Sequence, residues 1–261
     1  MKKVALITGA SSGLGREYAR VHASRGGDLV LVARRLDRLN ELKSELESQY
    51  QVDVLTLSYD LSRPETPQQI YDALADRGIE VDYLINNAGL GGQGSFAERP
   101  IEEEINLISV DIIALTRLTK LFLPDFLRRG TGRILNVSST ASLLPGPYQA
   151  TYFAAKAYVT SLSDALWMET RGTGVTVTSV LPGGLSTEFG TAAGLEGTGL
   201  AQALTQSPYK VALDSYRAML RGKRRIISGV TWSQRLALKM IPFVPKIFVL
   251  LAAMGLNRKD A

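Results

Sequence analysis

The sequence predicts an α/β fold: one domain built on a doubly wound parallel sheet of seven strands, with helices on both faces. Three observations predict it. Short runs rich in β-branched residues alternate with longer segments of helical periodicity. The short runs are apolar at nearly every position, the pattern of strands covered on both sides. No linker, repeat or low-complexity tract divides the 261 residues, a length that suits one large domain.

The elements follow in order. Val4 to Ile7 reads as a strand, followed by a glycine loop and a helix to about Arg25. Leu29 to Val32 is the second strand. The next helix, Arg35 to Tyr50, carries Leu36, Leu39, Leu42 and Leu46 on one side. Val52 to Leu57 is the third strand, Thr66 to Arg77 a helix, and Tyr83 to Ile85 the fourth strand. A long helical stretch runs from Ile101 to Arg129, with a break expected near Pro124. Then come strand Ile134 to Val137, helix Tyr152 to Arg171 and strand Val175 to Val180. The last third holds helix Pro208 to Leu220, a seventh strand at Arg225 to Ser228, and a hydrophobic extension over 231–261.

Composition narrows the function. The chain has no cysteine, so thiolate chemistry and disulfides are out. One histidine, His22, leaves no His-rich metal site, and its place in a helical pattern points to a structural role; no metal is expected. The formal charge is +5, but Lys and Arg are scattered, the densest run being Arg221 to Arg225. An anionic cofactor explains that balance without nucleic acid. The apolar run after the first lysines stops at Thr8-Gly9, too short for a signal peptide core. With no spanning apolar segment, a cytoplasmic protein is expected.

In a sheet of this kind, ligands bind beyond the carboxyl ends of the strands, near the switch in strand order. After the first strand stands "TGASSGLG", Thr8 to Gly15, with glycines at 9, 13 and 15. Small residues between a strand and a helix let the backbone approach a pyrophosphate at the helix N-terminus. The spacing differs from the commonest dinucleotide fingerprint. The second strand ends "LVARRLD". Arg34 stands where an acid would favour the ribose 2′-hydroxyl, and a guanidinium suits a 2′-phosphate instead. NADP is therefore the expected cofactor; solvation at a helix start is the competing reading, a real one for Arg35 and a weaker one for Arg34. Asp60, at the third strand end, can accept from an adenine amino group. Asn87, Ala88 and Gly89 end the fourth strand, Ser138 and Ser139 the fifth, and Pro182 and Gly183 stop the sixth. Thr187 follows within reach of a carboxamide.

Tyr152 and Lys156 are four residues apart, one turn along a helix face. An ammonium beside a phenol favours the phenolate and lowers a pKa ordinarily near ~10. The same spacing also suits a packed Tyr beside a snorkelling Lys.

The set as a whole decides between these readings. "TGASSGLG", "NNAG", Ser139, "YFAAK" and "PGG" stand in the order and spacing of the short-chain dehydrogenase/reductase family, and Ser139 lies 13 residues before Tyr152. The chain resembles the subgroup near 250 residues over nearly its whole length. The resemblance implies a Rossmann-type fold. It implies Tyr152 as general acid/base, Lys156 tuning it and holding the nicotinamide ribose, and Ser139 polarising the substrate carbonyl. Ser11, Ser12, Leu14 and Leu61 join the cofactor-binding set by the same resemblance. The implied reaction is hydride transfer between NADP(H) and a carbonyl or secondary alcohol. One position departs: Asp111 stands where the family usually places an Asn near the Lys. Asn106, five residues earlier, is about 140° round the helix.

Residues 186–208, rich in Gly, Ala and Leu, are expected to form a lid over an apolar substrate pocket. The C-terminal extension is expected to cap the pocket or meet another subunit of a homo-oligomer, ahead of lying on a membrane. The competing classes are a low-turnover NADP-binding sensor or interaction module, resting on Asp111, and a membrane-surface protein acting on lipid-like substrates.

Overall fold

A computed structural model describes residues 2–202 and 205–259. Ala203 and Leu204 of the expected lid, and Met1, Asp260 and Ala261 of the expected domain, lie outside them.

Seven parallel strands form one sheet in the order β3-β2-β1-β4-β5-β6-β7. They are β1 (Val4–Thr8), β2 (Asp28–Ala33), β3 (Val54–Ser58), β4 (Tyr83–Asn86), β5 (Gly132–Val137), β6 (Val175–Pro182) and β7 (Arg225–Ser228). The order reverses between β1 and β4, so the carboxyl ends of these two strands flank the crevice of a doubly wound sheet.

Both faces of the sheet are covered, which is why the strand runs carry no alternation. On one face α1 (Gly13–Ala23), α2 (Leu36–Tyr50) and α9 (Pro208–Leu220) pack against Ile7, Leu31, Leu135 and Val180. On the other lie α3 (Thr66–Ala75), α4 (Ile101–Ile108), α5 (Leu115–Arg129) and α6 (Ala150–Glu169), with Leu6, Leu84, Ile134 and Val177 beneath them. Short helices α7 (Phe189–Ala192) and α8 (Gly199–Gln202) fall in the expected lid, and α10 (Trp232–Met240) and α11 (Lys246–Asn257) follow β7.

Leu39, Leu42 and Leu46 of α2 are fully buried, each contributing about 1.5–3 kcal/mol. Leu36, grouped with them by periodicity, is 45% exposed because it opens the helix beyond the sheet edge. The long helix is not broken at Pro124, which lies exposed within α5. It changes instead over Ser109–Ala114, where six residues form a π segment between α4 and α5. A π turn carries an extra residue round the helix and commonly marks a functional position. Here it buries Val110, Asp111 and Ala114 against the sheet side. His22 is buried, its Nδ1 2.6 Å from the Tyr216 hydroxyl and its Nε2 2.9 Å from the Lys3 carbonyl, so it ties α1 to α9 and to the residue just before β1.

Candidate active site

The carboxyl ends of β1, β2, β4, β5 and β6 open into one cavity of about 900 Å³. Every residue expected at the site lines it except Gly15 and Asp111. Gly15 sits behind the glycine loop, packed against the Gly9 carbonyl. Asp111 is buried behind the cavity lining, in contact with Lys156 and the Leu90 N–H.

The loop after β1 is shaped by glycine. Gly9 and Gly13 hold φ of 67° and 53°, and a Cβ on Gly9 would come within 2.9 Å of the Ala88 Cα. Thr8 locks the neighbouring strand end, its hydroxyl accepting from the Asn87 and Ala88 N–H groups, each at 3.0 Å. The Asn87 side chain donates to the Thr8 carbonyl at 2.9 Å. Asn87 is thus a brace between strand ends as well as a lining residue. Ser12, at the N-cap of α1, makes no side-chain cap. The first-turn N–H groups therefore face the cavity uncapped, with the positive end of the helix dipole behind them. That donor set fits a pyrophosphate.

Beside it stand both arginines. Arg34 is exposed, lines the cavity, and makes no ion pair among the described residues. Arg35 donates to the Ser11 hydroxyl at 3.1 Å and pairs with Glu188 at 3.0 Å. Arg38 also pairs with Glu188, at 2.6 Å. Arg38 and then Arg35 hold the Glu188 carboxyl below its usual range. The sequence reading missed this Arg35–Ser11–Glu188 bridge, because its partners are 24 and 153 residues away. Asp60 lines the same end. Burial opposes its charge, but two bonds from Ser62, at 3.0 and 2.8 Å, together with Arg34 and Arg63, leave its carboxyl below the ordinary value.

At the other end of the groove, α6 projects Tyr152 and Lys156 toward β5. The Lys156 Nζ stands 5.6 Å from the centroid of the Tyr152 ring and donates to the Val137 carbonyl at 3.3 Å. It lies 2.8 Å from Asp111 Oδ2, an ion-pair contact angled poorly for a hydrogen bond, with both side chains buried. The second Asp111 oxygen accepts from the Leu90 N–H at 2.6 Å. Gly89 must be small, since a Cβ would stand 3.0 Å from Nζ and 3.2 Å from Oδ2. Ser138 fixes α6 from beneath by donating to the Lys156 carbonyl at 2.8 Å. Ser139 caps a 3₁₀ turn, accepting from the Ala141 N–H at 3.1 Å, with its hydroxyl beside Tyr152. Asn106 also lines the cavity, but it is Asp111 that meets Lys156.

The electrostatics differ from the expectation built on Tyr and Lys alone. Burial pushes the Tyr152 phenol up; Lys156 and Ser139 pull it down, Asp111 adds to the rise, and the net direction is upward. Burial lowers Lys156, but Asp111 and Tyr152 together outweigh it and hold the ammonium above its usual value. Burial raises the Asp111 carboxyl against the pull of Lys156 and the Leu90 N–H. With this set of partners, Lys156 is protonated and Tyr152 a phenol at neutral pH.

The far wall of the cavity is apolar and comes from late in the chain. Phe189 packs its ring 5.7 Å from that of Tyr152. Leu195, Leu238, Ile241, Val249 and Leu256 complete the wall. Asn257 closes the arm, donating to the Pro147 carbonyl at 2.9 Å and accepting from the buried Gln149 side chain at 3.1 Å. Gln149 and Asn257 were not singled out from the sequence; a lone amide on a helix gives no signal of a partner 108 residues away.

Comparison with known proteins gives this site its context. A family profile described as short chain dehydrogenase matches residues 3–213. The human very-long-chain 3-oxoacyl-CoA reductase is 34% identical over 182 residues, which is 68% of this chain and 58% of that protein. The chain therefore spans well under two thirds of the length of such curated relatives. A short-chain dehydrogenase from Sphingobium yanoikuyae, solved in complex with NADPH, superposes with a TM-score of 0.83 at 33% identity, covering 92% of this chain and 94% of that one. A bulky-bulky ketone specific alcohol dehydrogenase from Comamonas testosteroni superposes at 0.77 with 27% identity, covering 92% of both chains. The match over most of the chain, together with the seven-stranded doubly wound sheet and its glycine loop, establishes that this protein belongs to the short-chain dehydrogenase/reductase family.

Proposed function

We propose that the protein is an NADP(H)-dependent oxidoreductase that interconverts an apolar ketone and its secondary alcohol. The observation that carries the reading is the convergence of Tyr152, Lys156 and Ser139 at the junction of an anion-fitting groove and an apolar wall. The uncapped N-terminus of α1 would hold the pyrophosphate, Arg34 and Arg35 the 2′-phosphate, and Asp60 and Leu61 the adenine side. Thr187, with Pro182 and Gly183, would hold the nicotinamide carboxamide. When bound, the nicotinamide supplies the hydride that the carbonyl carbon accepts.

The chain's own residues do the rest. Ser139 donates to the carbonyl oxygen and fixes its position. The Tyr152 hydroxyl gives that oxygen a proton as charge develops on it. Lys156 stands close enough to stabilise the phenolate left behind. The apolar wall from Phe189 and the late helices keeps water from the reacting carbon. Reversal for alcohol oxidation starts from the phenolate, so reduction is favoured while Tyr152 holds its proton.

Cofactor choice tests the groove. A charge-assisted hydrogen bond contributes about 1.5–3 kcal/mol, so Arg34→Asp should weaken NADPH binding by roughly tenfold to a hundredfold. NADH binding should hold or improve. Fluorescence titration reads both. Equal affinity of the unmodified protein for the two cofactors would contradict the assignment.

Asp111 tests the proton path. Its charge raises Tyr152, so Asp111→Asn should lower the phenol's apparent pKa while Lys156 remains charged. Alcohol oxidation needs the phenolate; its rise with pH should move to lower pH in the variant. Reduction needs the phenol; its loss at high pH should begin earlier. The groups titrate as a set, so kcat/KM against pH reports an apparent value. Superimposable profiles would place Asp111 outside the path.

A further inference from the structure

The segment after β7 is turned inside out. In a soluble protein the apolar stripe of a helix faces the core. On α10, Trp232, Leu236 and Met240 recur at i, i+4 and i+8, and all three are exposed, Trp232 at 79%. No described residue of α10 is buried. Phe243 follows at 78% exposure, and Ile247 and Leu251 continue the stripe along α11. The inner side of the same segment is spoken for: Leu238, Ile241, Val249 and Leu256 line the cavity, and Ala253 and Asn257 are buried. The arm thus has two apolar sides, one roofing the cavity and one facing outward.

Its charge is one-sided as well. No Asp or Glu stands between Asp214 and Asp260. Within the arm, Arg235, Lys239 and Lys246 flank the exposed stripe, and none of them makes an ion pair among the described residues. Elsewhere the surface is laced with ion pairs, as at Arg20 with Glu17 and Glu45. Apolar side chains including a Trp, bordered by cations with no anion among them, have the composition of helices that lie in a membrane interface. The two helices hold 9 and 12 residues, and no helix of the described residues is long and apolar enough to cross a bilayer. A second copy of the chain fits less well. A self-complementary contact through this arm would add cations to cations and bring no carboxylate to either.

We propose that the outer face of α10 and α11 docks on the surface of a lipid bilayer carrying anionic headgroups. The stripe through Trp232, Phe243 and Ile247 enters the headgroup–acyl boundary, and Arg235, Lys239 and Lys246 pair with the headgroups. Because the inner face roofs the cavity, docking sets the cavity wall against the bilayer, and a lipophilic molecule leaving the membrane meets apolar side chains along its way in. The proposal rests on the surface alone and stands apart from the proton-transfer reading.

The chain has two tryptophans, Trp167 and Trp232. In a Trp167→Phe background, Trp232 is the sole reporter. The full chain is mixed with phosphatidylcholine vesicles, with or without about a third phosphatidylglycerol, and sedimented. Binding to the anionic vesicles with a blue shift of Trp232 emission is expected, with little binding to phosphatidylcholine alone. The pair Lys239→Glu and Lys246→Glu should weaken partitioning by about tenfold or more, as should Trp232→Ser with Phe243→Ser. NADPH titrations of both pairs should match the parent, which separates docking from loss of fold or of cofactor site. Absence of binding to anionic vesicles overturns the proposal, and so does binding that neither pair weakens. A dimer in light scattering that both pairs convert to monomer, without vesicle binding, would assign the face to a second copy instead.

Discussion

Replacing Tyr152 with Phe should cut turnover by about 10²- to 10⁴-fold, the range expected for loss of a positioned general acid. The ring and its contact with Phe189, 5.7 Å between centroids, remain. NADPH affinity should therefore stay close to that of the parent, since the hydroxyl adds little to the groove that holds the phosphates. The loss should fall on kcat, because the proton is needed only as charge forms on the oxygen. Steady-state kinetics beside a cofactor titration check both halves. A variant that turns over like the parent would remove Tyr152 from the mechanism.

Lys156→Ala should be damaging in three ways. It removes the cation proposed to stabilise the Tyr152 phenolate and the group expected to hold the nicotinamide ribose, so activity and NADPH affinity should both fall. It also strands Asp111. That carboxylate is fully buried, with only the Leu90 N–H at 2.6 Å left to it. Breaking a buried pair by deleting one partner costs about 3–5 kcal/mol. The sign with pH follows from Asp111. Burial already raises its carboxyl in the folded protein, and loss of Lys156 raises it further. A group whose folded pKa exceeds its unfolded value destabilises the fold as pH rises between the two. The deficit against the parent should thus be greatest near neutral pH and shrink as the pH falls toward the ordinary carboxylate range. Urea unfolding of both forms along a pH series measures it. Lys156→Ala with Asp111→Asn should recover much of the stability and none of the activity, which distinguishes the structural from the chemical part of the loss.

The legible parts of this site were those written locally in the chain. The glycine loop, the ends of β4 and β5, and the Tyr152–Lys156 spacing each occupy a few consecutive residues, and the parallel sheet brings their strand ends to one rim. What lay out of reach came from long-range packing. The π segment at Ser109–Ala114 has the same apolar periodicity as the helices on either side, so the expected break fell on Pro124, the residue with the clearest local signal. Leu36 matched its neighbours in period but stands where α2 has not yet reached the sheet. Arg35 and Arg34 are adjacent in sequence, and only the fold separates one that bridges Ser11 and Glu188 from one that does not. The net direction of the Tyr152 shift was only partly legible, through Asp111 at the position the family pattern puts near the Lys. A neighbouring ammonium lowers a phenol; the depth of burial, a tertiary fact, is what chiefly reverses the outcome, with Asp111 adding to it.

The most direct measurement follows the transferred atom. Reduced NADP carrying deuterium at both nicotinamide C4 positions is incubated with the protein and a panel of apolar ketones and 3-oxoacyl thioesters, and the products are analysed by mass spectrometry. The account predicts a secondary alcohol with one deuterium on the carbinol carbon, formed in step with cofactor oxidation, about a hundredfold or more slower with Tyr152→Phe and slower with the NADH analogue. Tight NADPH binding with no labelled alcohol from any ketone or thioester would contradict it and leave the chain a binding protein.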